Sequence, residues 1–360
     1  MTEPTTQPQP PGQGGLQHSV LLYDSDAEFS AAIAAFVSEG LAASQPALVA
    51  APGPRLAALR AALNGSGDPV TLVDVSTVGA NPARLIPAYR EFIDAHPGRR
   101  LRMTGELMWP GRTAGEVAEV TRHEALLNLA FDDVPVSIQC LYDAGAVDSA
   151  ALADLKRAHP VVVRAGQRHA NEDYAGPGLA PFCDRPLPPP PAGCIRRGFG
   201  DTDDLPAVRG HVRDQVAHWG LSKARIADLV AAVNELVSNV LVHGGGRGVL
   251  RVWRDAAAGT VTCEVAGPGQ IADQLAGRRY APASAGGAHG LWLVNQLCDL
   301  VELRSHRNRT TVRVHLRVDG QPGAAALPRR LHNARTRIRH GIWPAGPRVL
   351  NPRDSSHKAK

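Results

Sequence analysis

Four consecutive prolines, Pro188 to Pro191, close a stretch reading YAGPGLAPFCDRPLPPPPAG from Tyr174, and this tract splits the chain into two halves. Proline has no backbone N–H and fixes its own φ, so neither a helix nor a central strand is expected there. Residues 173–194 are therefore predicted to be an extended linker with no packed element. At 360 residues the chain has room for an ordinary domain on each side of it.

Upstream of the tract, strand-like runs begin at Ser19 (SVLLY), Pro46 (PALVAA), Val70 (VTLVDV), Arg100 (RLRMTG) and Val136 (VSIQCLYD). They alternate with amphipathic helical stretches at Asp26 to Leu41, Pro54 to Leu63, Pro82 to Ala95, Ala114 to Ala130 and Ser149 to Ala158. Such alternation requires crossover connections, so residues 18–172 are predicted to form an α/β domain with a mainly parallel sheet covered on both faces. Downstream, a strand at Cys194 to Gly198 precedes two helices, Thr202 to Trp219 and Ser222 to Val242. Strands follow at Val249 to Arg254, Thr260 to Val265, Val301 to Ser305 and Thr311 to Val318, interrupted by a glycine-rich loop and a short helix, Leu291 to Leu300. Residues 195–319 are thus expected to be α+β, with helices on one face of an antiparallel or mixed sheet.

The ends read differently. Residues 1–17 lack the basic start and apolar middle of a secretory signal and are predicted to be a disordered leader. From Gly320 to Lys360 arginines and lysines face a single acid, Asp354, which predicts a disordered basic tail and leaves the remainder slightly acidic. That tail has one aromatic residue, Trp343, and no DNA-binding motif, so direct nucleic-acid binding is not expected. No uninterrupted apolar stretch approaches the roughly 18–20 residues of a membrane span, and a cytoplasmic, membrane-free protein is expected. The five cysteines are scattered, without a C-x-x-C pair or a histidine at metal-ligand spacing, and read as free thiols of a reducing compartment.

The helix ADLVAAVNELVSNVLVHGGG places Glu235, Asn239 and His243 four residues apart, hence along one side. Unpaired polar groups on an otherwise apolar helix cost about 1–3 kcal/mol each when buried, which makes a ligand or metal a natural partner. By spacing alone a plain reading fits equally well, with Asn239 capping a loop and Glu235 solvated.

ELVSNVLVHG closely resembles the N box of the GHKL ATPase superfamily, and of anti-sigma-factor serine kinases in particular. The resemblance covers about residues 197–317 and implies a Bergerat (GHKL) sandwich with ATP and Mg²⁺ as cofactors. It implies Asn239 as the magnesium residue, His243 at the cofactor site and Glu235 as the base toward a serine hydroxyl. CEVAGPGQI from Cys263 resembles the adenine-binding Asp-x-Gly turn, with Gly269 matching the glycine and Gly267 standing where the family has aspartate. SAGGAHGLWLVNQLCDLVEL resembles the second glycine box, which implies phosphate contacts at Gly286, Gly287, His289, Gly290 and the free N–H of Leu291. The usual Gly-x-Gly is here Ala288-His289-Gly290.

In the first half, HSVLLYDSDAEF from His18, GELMWPGR from Gly105 and HEALLNLAF from His123 resemble the MEDS sensory domain. No G-x-x-x-x-G-K-[ST] loop is present, so sensing by binding is the implied role. Glu106, Trp109, Arg112, His123 and Glu124 are the candidate lining of a sensory pocket, although neighbours on one helix such as His123 and Glu124 point about 100° apart.

Two functional readings follow from these resemblances. In one, the chain is a serine/threonine protein kinase of the anti-sigma type that binds a sigma factor and phosphorylates an anti-anti-sigma antagonist. In the other, the missing aspartate leaves a pseudokinase that sequesters its partner without phosphotransfer. A histidine kinase would need a phosphoaccepting helical hairpin, and only one helix stands between the linker and Ser222. Whether the chain forms a homodimer stays open.

Overall fold

The computed structural model describes residues 15–63, 70–164, 166–178, 181–280, 287–306 and 308–319, all within one compact unit. Most of the expected leader, the whole of the expected basic tail and Gly286 lie outside the described residues.

The first sheet contains β1 (Gln17–Tyr23), β2 (Ala47–Ala51), β3 (Thr71–Asp74), β4 (Leu101–Gly105), β5 (Val136–Asp143), β6 (Val161–Arg164) and β7 (Gln167–Ala170). Their order is β3-β2-β4-β5-β1-β6-β7; every pairing is parallel except that of β7, which folds back on β6. Helices α1 (Asp26–Ala42), α2 (Gly53–Leu63), α3 (Leu85–Asp94), α4 (Ala114–Ala130) and α5 (Ser149–Arg157) make the crossovers. All five residues of β2 are buried, and alternate side chains enter different cores. Ala47, Val49 and Ala51 join Phe29, Ile33, Val37 and Leu59 of α1 and α2. Leu48 and Ala50 join Leu85, Ile86, Val120 and Leu126 on the other face. Such double-sided burial is why these strands read as continuous apolar runs.

The second sheet runs β11-β12-β10-β9-β8 and is antiparallel throughout, from β8 (Ile195–Phe199), β9 (Gly248–Asp255), β10 (Thr260–Pro268), β11 (Leu300–His306) and β12 (Arg309–Arg317). Helices α6 (Asp204–Val216), α7 (Lys223–His243) and α8 (Gly287–Leu297) accompany it. By length and composition α7 could cross a membrane. Here, however, Leu229, Val233, Leu236, Val237 and Val240 are buried within the domain.

The proline-rich tract departs from its expectation. A 3₁₀ turn at Pro181–Asp184 buries Cys183 against Ala125 and Ala158. Arg304 then donates to the carbonyl of Arg185 at 2.8 Å, and Arg313 to that of Pro188 at 2.7 Å. Proline lacks a donor but keeps its acceptor, so arginines projecting from β11 and β12 can bind an extended strap that no sheet ladder could accept.

Helix α4 links the two sheets. Thr113 and Glu116 form a reciprocal capping box at its start, and Glu116 also pairs with Arg317. One turn on, the buried Glu119 binds Arg278 at 2.6 Å and Arg304 at 2.8 Å, while Arg122 donates to the carbonyl of Leu303 at 3.1 Å. Burial pushes the Arg278 guanidinium down to about 10 against the pull of Glu119, which still leaves it charged at neutral pH. Arg84, just before α3, donates to the carbonyls of Asn295, Gln296 and Cys298 at the end of α8. A cation there satisfies the orphan carbonyls and the negative end of the helix dipole.

Candidate functional site

Helix α7 starts at Ser222, whose hydroxyl caps the N–H of Arg225, and stops at Gly244; Gly245 and Gly246 follow, both at φ +81. That left-handed backbone turns the chain sharply into β9, and only glycine adopts it cheaply. The helix thereby presents its last two turns to a cavity of about 280 Å³, close to the lower bound of roughly 300 Å³ for ligand pockets. Asn239, His243, Gly244, Gly269, Leu291 and Thr310 are part of its wall. Of the sequence-predicted residues, Asn239, His243, Gly269 and Leu291 meet here.

Glu235 lies one turn back from Asn239. A Cβ added to Gly290 would stand 2.9 Å from Glu235 Oε2 and 3.3 Å from Asn239 Nδ2, so the ends of both side chains close on the first turn of α8. Glu235 also edges a second, open groove lined by Arg209, Arg213, Lys223 and Asn234. Gly287 is the first residue of α8. His289 is buried with its ring 5.6 Å from that of Trp292.

Gly267 sits on β10 opposite Thr310, outside the cavity wall, and a Cβ there would fall 2.5 Å from Val240 Cγ1. Gly269 has φ +97 and its carbonyl accepts from Thr310 Oγ1 at 3.0 Å. Thr310 is a wall residue that sequence reasoning missed, as is Asp273, which pairs with Arg279. Thr310 is one of two adjacent threonines on a β-strand and Asp273 lies in an irregular loop, so neither carries a periodic signal.

Residues 200–316 match the histidine kinase-like ATPase domain, and residues 17–160 match MEDS, the "MEthanogen/methylotroph, DcmR Sensory domain". The chain is a MEDS domain followed by a histidine kinase-like ATPase domain. No curated protein matches it. Among solved structures, the RsbU and RsbW domains of a Mycobacterium tuberculosis protein are similar over 36% of this chain and 33% of that one, at 20% identity and a TM-score of 0.27.

Within the MEDS domain the five predicted pocket residues divide among different partners. Glu106 follows β4, beyond the carboxyl end of the parallel strands where open α/β sheets bind ligands. It accepts from the Tyr23 hydroxyl and pairs with Arg55 at 2.9 Å; burial raises its carboxyl above the usual range despite these partners. Trp109 and Arg112 stack on each other, the guanidinium 3.6 Å from the ring centre, and Arg112 is tied to the carbonyls of Leu107 and Gly79. His123 is fully buried on α4 near the edge of the Tyr89 ring. Glu124 points elsewhere, into a closed set of side chains with His18, Cys140 and His159.

Proposed function

We propose that this chain is a cytoplasmic regulator of the anti-sigma-factor type, whose ATPase-like domain binds Mg-ATP and a transcription partner under control of the MEDS domain. The observation that carries this reading is the convergence of Glu235 and Asn239 on Gly290, beside a cavity walled by Asn239, His243 and Leu291. The residues fit the cofactor: an amide oxygen is a hard ligand suited to magnesium, which keeps most of its waters and takes other oxygens from phosphates. When bound, Mg-ATP would supply the phosphoryl group, and Glu235 would hold the proton of an incoming serine hydroxyl. The groove beside Glu235, with Arg209, Arg213 and Lys223, suits an acidic segment of the partner, a sigma factor or its anti-anti-sigma antagonist.

A second reading, sequestration without phosphotransfer, is favoured by one observation. The place where a side chain at Gly267 would stand is taken by Val240, so the carboxylate that the family uses for adenine has neither its residue nor its space. Incubating the full chain and its Glu235→Gln variant with γ-labelled ATP, magnesium and candidate antagonists separates the two. Label transfer that depends on Glu235 supports the kinase; partner capture with no transfer at saturating nucleotide supports sequestration.

A further inference from the structure

Four side chains from four segments converge inside the MEDS domain: His18 of β1, Glu124 of α4, Cys140 of β5 and His159, which lies between α5 and β6. His18, Glu124 and His159 have no exposed surface and Cys140 is 5% exposed. We propose that they form a buried binding site for one divalent transition-metal ion of the zinc type.

The geometry of the four donor atoms carries this. Glu124 Oε2 lies 3.2 Å from His18 Nε2, 3.4 Å from His159 Nε2 and 3.2 Å from Cys140 Sγ, and Cys140 Sγ lies 3.4 Å from His18 Nε2. All four donors are within 4.8 Å of one another. With metal–nitrogen and metal–oxygen bonds of about 2.0–2.2 Å and a metal–sulfur bond of about 2.3 Å, the edges of a tetrahedral site are roughly 3.3–3.7 Å. The four observed distances, 3.2–3.4 Å, lie at or just below the short end of that range.

The hydrogen bonds around the donors point the same way. His159 Nδ1 is 2.7 Å from the carbonyl of Leu155, which can only accept, so Nδ1 carries the proton. Its Nε2 is buried, faces Glu124 and has no hydrogen-bond partner among the described residues. Asn128 donates to the carbonyl of Ala158 at 2.8 Å, which fixes its amide and leaves Oδ1 to accept from His18 Nδ1 at 3.0 Å. When neutral, both imidazoles therefore turn a lone pair on Nε2 toward the same carboxylate oxygen, an arrangement relieved either by a proton on those nitrogens, which makes ion pairs with Glu124, or by a metal ion between the donors. The Tyr142 hydroxyl holds the other oxygen, Oε1, at 2.5 Å. Lone pairs facing one another in a buried space are costly without a cation between them. With one, each ligand has the outer partner that orients metal-bound histidines and carboxylates.

The donor set also balances charge. On binding, the Cys140 thiol releases its proton to solvent and coordinates as thiolate; together with the Glu124 carboxylate it neutralises a dication, leaving a buried centre with no net charge. Two imidazoles, a thiolate and a carboxylate suit zinc or cobalt(II) rather than magnesium or calcium, and four protein donors leave no open position.

The test uses the full chain, expressed with added zinc and, separately, loaded with cobalt(II) after chelator treatment. We expect about one equivalent of metal per chain by elemental analysis, and for the cobalt form a thiolate charge-transfer band with the visible pattern of tetrahedral coordination. Cys140→Ser should lose that band, and Asn128→Leu, which keeps all four ligands, should weaken binding about 10- to 100-fold. Absence of stoichiometric metal from the zinc-grown wild type together with no cobalt band would overturn the site. So would a band that survives in folded Cys140→Ser protein.

Discussion

Val240 Cγ1 stands 2.5 Å from the point that a Cβ on Gly267 would occupy, so helix α7 and strand β10 fit together through one branched and one absent side chain. A carboxylate restored at Gly267 must displace that methyl group, and overpacking of this sort costs about 1–3 kcal/mol. Gly267→Asp alone is therefore expected to lower stability and gain little nucleotide affinity. Combined with Val240→Ala, it should raise ATP affinity about 10- to 150-fold, the range a charge-assisted hydrogen bond of about 1.5–3 kcal/mol provides. Calorimetric titration of the single and double variants decides this; equal affinities in both would remove the role assigned to the pair.

Glu119 is the shared counter-charge for Arg278 and Arg304, and all three are buried where α4 meets the ATPase domain. Glu119→Ala leaves two guanidinium groups without it, and breaking a buried pair from one side costs about 3–5 kcal/mol. Urea unfolding should show that loss, with the two domains unfolding in separate steps. An unchanged midpoint would mean that the contact does not hold them together.

Burial works against the Glu302 carboxylate, but the His315 imidazole, hydrogen-bonded to it at 2.9 Å, and the nearby Arg304 and Arg313 hold it below its ordinary 4.5. A depressed acid favours folding above its unfolded value, and that contribution is lost as pH falls through the folded value. Stability should decline below about pH 4.5, and Glu302→Gln should be less stable at pH 7 yet decline less steeply in acid. Urea midpoints between pH 7 and pH 3.5 provide the check; parallel curves for the two proteins would contradict it.

Much of this architecture is written in local patterns. The five upstream strands and five helices and the polar ladder on α7 follow from periodicities and spacings of a few residues. What escaped depends on long-range pairing. β7, QRHA, is four exposed residues without an apolar signal and exists because β6 offers it an edge. The packed strap escaped because its partners, Arg304 and Arg313, lie more than a hundred residues away. The same holds for Cys140, which read as an isolated thiol. Parallel pairing of β1 with β5 sets Val20 beside Cys140, and α4 and the turn after α5 supply Glu124 and His159. No spacing rule could have joined them.

Whether Asn239 serves a magnesium-dependent nucleotide site is decided by the binding of labelled ATP to the full chain with and without Mg²⁺. Magnesium should tighten binding to the wild type, and Asn239→Ala, with its fold intact, should lose most of that gain. Equal affinity with and without the ion, or a magnesium response unchanged in Asn239→Ala, would contradict that role.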